Sequence, residues 1–242
     1  MPPAPAPAPA AAAAAATAAA TEPGPAIDLQ GIRVLLLPQH ALHWPEAHML
    51  FVADVHLGKA ATFRARGLPV PAGGTADNLA RLSGVLAATG ARHLVVLGDF
   101  LHAAEAQTPA LLARLAHWRA AHAGLELTLV RGNHDWHAGE LPPALDIRVV
   151  DEPWQPRAAA PLACCHHPQQ FPGQTVLAGH VHPAVRLRGR ARDALRLPAF
   201  CHDPGLLLLP AFGDFTGSHT LAAAPGRRLY AVGAGRVWPL PG

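Results

Sequence analysis

Five short polar segments carry the residues of this sequence that are best suited to chemistry. In chain order they are Asp54-Val-His56, Gly98-Asp99, Gly132-Asn133-His134-Asp135, His166-His167-Pro168 and Gly179-His180-Val-His182. Each follows a mostly apolar run of the length of a buried strand. Carboxylate, amide and imidazole groups together suit divalent ions such as manganese, iron or zinc. The pattern therefore indicates a metal site.

The spacing inside these segments explains how the donors could converge. Asp54 and His56 are two residues apart, as are His180 and His182, so on extended backbone each pair would face one side of a strand end. Loops at the carboxyl ends of strands in an open α/β sheet meet in one crevice, where ligands bind. A carboxylate shared by two ions holds them roughly 3.5–4 Å apart, as in two-metal phosphoryl chemistry.

Each segment also has a plainer interpretation on its own. A strand-end Asp such as Asp54 often caps a turn, and Gly98-Asp99 alone is a turn signal. Asn133-His134-Asp135 is more informative, because it places three polar groups where one would suffice for a turn. A purely structural account would need five coincidences in a row, so we favour the metal site.

The surrounding pattern predicts the elements that position these segments. Two helices are predicted, Thr75–Thr89 and Pro109–His122, each with a Thr cap and a following Gly. Short apolar runs alternate with them and predict the strands Arg33–Leu37, Met49–Ala53, His93–Leu97, Glu126–Val130, Ile147–Val150, Leu162–Cys165, Thr175–Ala178 and Leu206–Leu209. The order predicts one α/β domain with a mixed sheet.

The first 26 residues differ from the rest of the chain. They are almost entirely Ala and Pro, with one charge at Glu22. This composition predicts a disordered tail over 1–26, before a folded domain over 27–242. A secretory signal is the alternative, but it needs a positively charged start, and no Lys or Arg precedes Arg33.

Cysteine and charge content narrow the setting. Cys164, Cys165 and Cys201 form no C-x-x-C pair, which favours buried thiols in a reducing cytoplasm. No convincing membrane span is present, so we expect a cytoplasmic protein without membrane association. The net charge of +3 is only a weak argument for nucleic-acid binding.

In this order, the five segments resemble the motifs of the calcineurin-like metallophosphoesterases. The resemblance implies a four-layer α/β/β/α sandwich with mixed sheets and a dinuclear metal centre. Asp99 would bridge the two ions. The other implied ligands are Asp54, His56 and His182 for one ion, and Asn133, His166 and His180 for the second. His166 is chosen over His167 because the family pattern is His-x-Pro.

The resemblance also implies residues that act beside the metals. His134 would contact the phosphate and assist the leaving group, and Asp135 would orient its imidazole. His102, three residues after Asp99, is a further candidate for contact with the phosphate or with a ligand.

A narrower resemblance covers most of residues 30–217. The stretch from Asp54 through Lys59-Ala-Ala-Thr-Phe-Arg64 to Pro71, with Gly98-Asp-Phe-Leu-His102 and Leu209–Gly217, is similar to the ligase-associated DNA damage response endonucleases. This branch implies manganese-dependent cleavage of single-stranded DNA in repair. It also implies a DNA ligase, a helicase and an exonuclease-like protein as partners.

Four basic residues are candidates for contacts with the DNA backbone: Lys59, Arg64, Arg66 and Arg131. The first three would lie on a loop at the mouth of the site, and a solvated basic loop is the plainer interpretation. Two other functions stay open: a phosphatase or a phosphodiesterase for small or cyclic nucleotides, and a non-catalytic repair scaffold.

Overall fold

The computed structural model describes residues 24–65, 67, 74–189, 193–214 and 216–241. The predicted tail therefore lies outside the described residues up to position 23, as does Arg66. The last residues assigned to the tail are part of the fold, because the carbonyl of Pro25 accepts a hydrogen bond from Leu36 and the first strand begins at Ala26.

Two mixed sheets form the body of the described structure. The strands of the first sheet are β1 (Ala26–Leu29), β2 (Ile32–Leu37), β3 (Ala41–Trp44), β4 (Met49–Val52), β5 (His93–Leu97), β6 (Glu126–Val130) and β7 (Arg148–Val150). They are hydrogen-bonded in chain order. β1 to β4 pair antiparallel, and β4 to β7 pair parallel.

The second sheet uses the later half of the chain. Its strands are β8 (Leu162–Cys164), β9 (Thr175–Ala178), β10 (Pro183–Arg188), β11 (Ala194–Asp203), β12 (Leu206–Leu208), β13 (His219–Thr220), β14 (Arg228–Gly233) and β15 (Arg236–Pro239). The order is β13-β10-β11-β12-β9-β8, and β14 joins β11 to β15. β8, β9 and β12 run parallel.

The described α-helices all lie between residues 59 and 138, before the strands of the second sheet. They are α1 (Lys59–Ala65), α2 (Gly74–Thr89), α3 (Pro109–Ala121) and α4 (Asn133–Ala138). α3 begins as expected, with the Thr108 hydroxyl accepting from the N–H of Leu111 and Pro109 in the first turn. α1 corrects the prediction of a loop after the first motif, since Lys59 and Arg64 are helical.

Alternation along the central strands divides the core into two layers. Leu50 and Val52 of β4 face α2 and α3, where they meet Leu82 and Leu115. Phe51 points the other way, into the space between the two sheets, as the period of two requires. Central parallel strands such as β5 are buried at every position, as expected for strands covered on both faces.

The outer face of the second sheet is covered differently from that of the first. Buried residues such as Val176 and Cys201 pack there under Phe171, Val181 and Leu221, which belong to loops and turns. The mixed α/β sandwich is confirmed. Among the described residues, the layer that covers the second sheet consists of these loops and turns, where the α/β/β/α prediction had helices.

Candidate metal centre

The five polar segments meet at one edge of the two sheets. The segments after β4, β5 and β6 come from the first sheet, and those after β8 and β9 come from the second. Four groups of His and Asp side chains lie there, and within each group the donor atoms are at most 4.8 Å apart. Asp54, Asp99 and His166 form one of these groups, so donors from both sheets come together as predicted.

Asp99 lies in the middle of the donor set. Its Oδ2 is 3.7 Å from Nε2 of His56, and its Oδ1 is 3.5 Å from Nε2 of His166. The same Oδ1 accepts a hydrogen bond of 2.9 Å from the backbone N–H of His134. The two carboxylate oxygens therefore face two different imidazoles, as a bridging ligand must.

Asp54, His56 and His182 form the donor group on one side of Asp99. Nε2 of His182 is 3.3 Å from Oδ1 of Asp54. Nδ1 of His182 lies 2.8 Å from the carbonyl oxygen of Gly217, to which it must donate. This contact fixes the proton of the neutral ring on Nδ1 and leaves Nε2 free to bind a metal ion. When the ring is charged, Nε2 carries a second proton and donates it to Asp54.

The other side is formed by His166, Asn133 and His180. Nε2 of His166 is 3.0 Å from Oδ1 of Asn133 and 3.1 Å from Nδ1 of His180. Nδ1 of His166 donates to the carbonyl oxygen of Leu97 at 3.1 Å, so its Nε2 holds a lone pair when the ring is neutral.

The chemistry of both donor sets fits divalent cations. Several acceptor atoms point at one another around Asp54, Asp99 and His166, which are at most 2% exposed. Buried carboxylates and lone pairs that face each other are costly unless a cation lies between them. Imidazole, amide and carboxylate donors match ions such as manganese, iron or zinc.

The backbone at this edge departs from the extended conformation that the sequence predicted. Asp54, His56, Asp99, His180 and His182 all have positive φ, between 48° and 66°. This left-handed region is uncommon for residues other than Gly and costs about 1–3 kcal/mol each. Both members of each Asp-x-His or His-x-His pair still reach the same centre, through two left-handed residues rather than through strand alternation.

Gly98 and Gly179 allow the two sheets to approach each other here. Gly98 has a φ of 78°, and a Cβ at this position would overlap the imidazole of His166. A Cβ on Gly179 would lie 2.7 Å from Oδ2 of Asp54. Larger residues would therefore displace ligand candidates.

Burial keeps most of the imidazoles neutral and able to act as ligands. Burial lowers the pKa of His56 to about 2, and the charge of Lys59 adds to the effect. Burial also lowers the pKa of His166 and of His180. For His182 burial is outweighed by the hydrogen bond and charge of Asp54, which raise its pKa.

His134 lies beside the centre, as expected for a residue that acts on substrate. Its Nε2 is 4.0 Å from Oδ2 of Asp99, and its side chain is 38% exposed. Its Nδ1 lies 2.6 Å from the carbonyl oxygen of His102, which can only accept, so Nδ1 carries a proton. The ring of His102 stacks on it at 5.0 Å, which places His102 at the site as predicted.

The hydrogen bonds of Asp135 differ from those that its predicted role would require. Its carboxylate accepts hydrogen bonds from the backbone N–H groups of Asp99, Phe100, Leu101 and Gly132, at 2.8 to 3.2 Å. Asp135 is the third residue of α4, and an acidic side chain there turns back to cap the helix. It thus holds the Asp99 loop against α4, while the carbonyl of His102 orients His134.

The two adjacent histidines belong to one donor group with His180, but they have different surroundings. His166 is buried among the donors, whereas Nδ1 of His167 lies 2.7 Å from Oε1 of Glu152. Oε2 of Glu152 accepts the backbone N–H groups of both, at 2.6 and 2.9 Å. Glu152 was not among the predicted site residues. It lies outside the five segments, and nothing in its local sequence signals this role.

The basic residues predicted to contact the DNA backbone lie in different environments. Lys59 begins α1 beside the centre, where burial lowers its pKa and the charges of Asp99 and Asp54 oppose that shift. Arg64 is exposed at the end of the same helix. The guanidinium of Arg131 lies 4.2 Å from the ring centroid of Trp136 and 3.6 Å from a carboxylate oxygen of Asp151.

Comparisons with known proteins agree with this geometry. The family Calcineurin-like phosphoesterase matches residues 47–194. The structure is similar to the crystal structure of Pseudomonas putida nuclease MPE, with 46% sequence identity and a TM-score of 0.76, over 89% of this chain and 99% of that one. A phosphoesterase from E. coli, Yfce, is 16% identical with a TM-score of 0.36, over 77% and 88% of the two chains, which is too distant to support an argument. No curated protein matches.

The chain belongs to the calcineurin-like phosphoesterases, and it is a hydrolase of phosphoester bonds with a site for divalent metal ions. The family resemblance read from the sequence is therefore confirmed. The similarity to a nuclease agrees with the narrower resemblance to an endonuclease branch. Among the described residues, the helices are too short or too polar to span a bilayer.

Proposed function

We propose that this protein is a two-metal phosphodiesterase that cleaves nucleic acid, with single-stranded DNA as substrate and manganese as the working ion. The observation that carries the proposal is the position of Asp99, whose two oxygens face His56 and His166 with His134 alongside. Asp54, His56 and His182 would hold one ion, and Asn133, His166 and His180 the other.

Each part of the site then has a distinct task. Two divalent ions, when bound, would supply Lewis-acid stabilisation of the phosphate and an activated water molecule. His134 would bind the phosphate through Nε2 and, when doubly protonated, would give that proton to the leaving oxygen. The contact of Nδ1 with the His102 carbonyl keeps the ring aimed at the substrate.

Two observations favour a nuclease over the alternatives of a phosphatase or a small-nucleotide phosphodiesterase. The first is the similarity to nuclease MPE at 46% identity along most of both chains. The second is the presence of Lys59 and Arg131 on elements next to the centre, where they could bind phosphates that flank the scissile one. A non-catalytic scaffold is disfavoured because it would have no use for His134.

The repair context is part of the proposal and rests on the resemblance read from the sequence. The resemblance implies a DNA ligase, a helicase and an exonuclease-like protein as partners, and the cysteine content is the reason to expect a cytoplasmic protein. These partners can be sought by co-purification with the full chain, but the enzymatic proposal does not depend on them.

The direct test incubates metal-stripped protein with circular single-stranded DNA and, separately, with an aryl phosphodiester. Manganese, magnesium or zinc is added, and the variants Asp99→Asn and His134→Ala run in parallel. We expect manganese-dependent conversion of circles to linear fragments, lost in both variants. Hydrolysis of the aryl diester with intact circles would contradict the nuclease proposal and favour a small-molecule phosphodiesterase. No turnover with any metal would favour the scaffold.

A further inference from the structure

An exposed aromatic side chain lies next to the metal centre and has no part in it. Trp136 of α4 is 64% exposed, more than any other large hydrophobic residue described. Arg131 already lies over the ring, at 4.2 Å from its centroid. Aromatic side chains that are open to solvent beside a nucleic-acid site are the groups on which unpaired bases stack.

The helix places this ring on the same side as a ligand candidate. Trp136 follows Asn133 by three residues, and residues three apart share one face of a helix. Three residues rise about 4.5 Å along the helix axis. Trp136 is therefore close enough to meet a nucleotide that flanks a phosphate held at the metal centre.

The space beside the ring suits a base. A cavity of about 640 Å³ opens there, and nucleotide-sized ligands bind in cavities of this range. Its lining includes Arg131, Trp136, Pro142, Ile147, Arg148 and Val149. The lining combines a flat aromatic ring, apolar side chains, two guanidinium groups and the carboxyl groups of Asp135, Glu140 and Asp146.

Two of the acidic groups near this cavity are already paired. The carboxylate of Asp146 contacts Arg119 at 3.1 Å, and Asp151 contacts Arg131 at 3.6 Å. The contact with Asp151 holds the guanidinium of Arg131 beside Trp136, where it covers one face of the indole ring. The surface therefore carries charges of both signs, and what it adds to the phosphate contact proposed for Arg131 is an aromatic ring for stacking.

We propose that Trp136, supported by Arg131, is a stacking platform for the base of a nucleotide next to the scissile phosphate. This inference rests on the proposed function, and it explains why the enzyme would prefer single-stranded DNA. Bases in a duplex are already stacked on each other, whereas an unpaired base is free to stack on Trp136. Every base has a flat face, so the platform would be indifferent to sequence.

The test compares two substrates of one enzyme. The ratio of kcat/KM on a single-stranded oligonucleotide to kcat/KM on an aryl phosphodiester is measured for the unmodified protein, Trp136→Ala, Trp136→Phe and Trp238→Ala. Trp238 of β15 is also exposed, at 36%, and is the matched control. We expect the ratio to fall about tenfold or more in Trp136→Ala, the range of one lost base stack. Phe should restore most of it, and Trp238→Ala should leave it unchanged.

A second substrate isolates stacking from folding. An oligonucleotide with abasic sites around the cleavage position offers no base, so Trp136→Ala should cleave it as fast as the unmodified protein does. The platform would be overturned if the kcat/KM ratio of Trp136→Ala were unchanged. It would also be overturned if this variant lost activity equally on the normal and the abasic oligonucleotide. Unmodified protein that hydrolyses the aryl diester but leaves DNA intact would instead contradict the proposed function.

Discussion

The two sheets contribute different chemistry to the same centre. The first sheet supplies both carboxylates, Asp54 and Asp99, together with the Asn133 amide and one buried imidazole, His56. The second supplies imidazoles only, of which His166 is fully buried, His182 is half-buried and His180 is exposed. The first sheet therefore provides the negative charge, and the second completes the coordination with neutral groups.

This division implies that the centre depends on how the sheets pack together. His180 donates its backbone N–H to Asp54 at 3.0 Å, and the His166 imidazole fits against Gly98, so the junction is direct. Either sheet alone offers an incomplete set of donors. Loss of the Asp99 carboxylate, which lies between both donor groups, should thus affect both ions, and loss of a second-sheet imidazole only one.

The largest effect is expected for Asp99→Asn. The amide removes the charge that both ions share, so activity on the aryl diester should fall about 10³-fold or more, equivalent to several kcal/mol of lost stabilisation. Metal content, measured by mass spectrometry, should fall below one ion per chain. Asp203→Asn, which alters a carboxylate paired with Arg227 in the second sheet, is the control. If Asp99→Asn retained two ions, the proposal that the first sheet provides the charge shared by both ions would be contradicted.

His134→Ala should separate catalysis from metal binding. His134 belongs to the first-sheet side but is not a proposed ligand, so we expect kcat to fall about 10²–10³-fold, as for loss of a proton donor. Metal content should stay at two ions per chain. Loss of an ion in this variant would contradict its assignment as a substrate-facing residue.

His166→Ala and His167→Ala test the second sheet with adjacent residues. His166 points into the centre and His167 points to Glu152, so the first variant should lose one ion and about 10²-fold in activity. The second should retain both ions and change activity by only a few fold. The opposite ranking would move the ligand assignment to His167.

Glu152→Gln should have a smaller effect that acts through position. The carboxylate receives the N–H groups of His166 and His167, and an amide oxygen would do so more weakly. We expect about a tenfold loss of affinity for the more weakly bound ion, typical of residues that orient ligands. Titration of the metal-free protein with manganese measures this change, and an affinity equal to that of the unmodified protein would count against the role.

The smallest expected effect is that of metal removal on thermal stability. Each ion at about 100 times its dissociation constant would stabilise the folded state by about 2.7 kcal/mol, which raises Tm by roughly 5–10 °C per ion for a chain of this size. Thermal melts with manganese and with a chelator measure the shift. His166→Ala should show less of it. Equal shifts in both proteins would mean that the ions do not connect the two sheets.

The sequence was most informative where strands end in ligands. The predicted strands Met49–Ala53, His93–Leu97 and Thr175–Ala178 each lie within one residue of the observed bounds, because apolar runs of that length are buried as parallel strands. The polar residues that follow could then be placed at one edge. The chain order and donor types of the five segments predicted one centre, and the family resemblance that they carry implied which side chains form it.

Other features were beyond what the sequence could predict. α1 and α4 are short, and their starts coincide with motif residues, so periodicity had too few positions to reveal them. The left-handed backbone at Asp54 and His180 arises from tertiary packing, not from local preference. The contacts of Glu152 with His166 and of Asp135 with the Asp99 loop join distant segments, and no spacing along the chain encodes them.

The most direct test of the account is to locate the ions themselves. Crystals of the full chain grown with manganese would be measured at wavelengths on both sides of the manganese absorption edge. We predict two anomalous peaks on either side of the Asp99 carboxylate, one next to His56 and His182 and the other next to His166 and His180. A single peak, or a peak coordinated by His167 and Glu152, would contradict a centre built jointly by the two sheets.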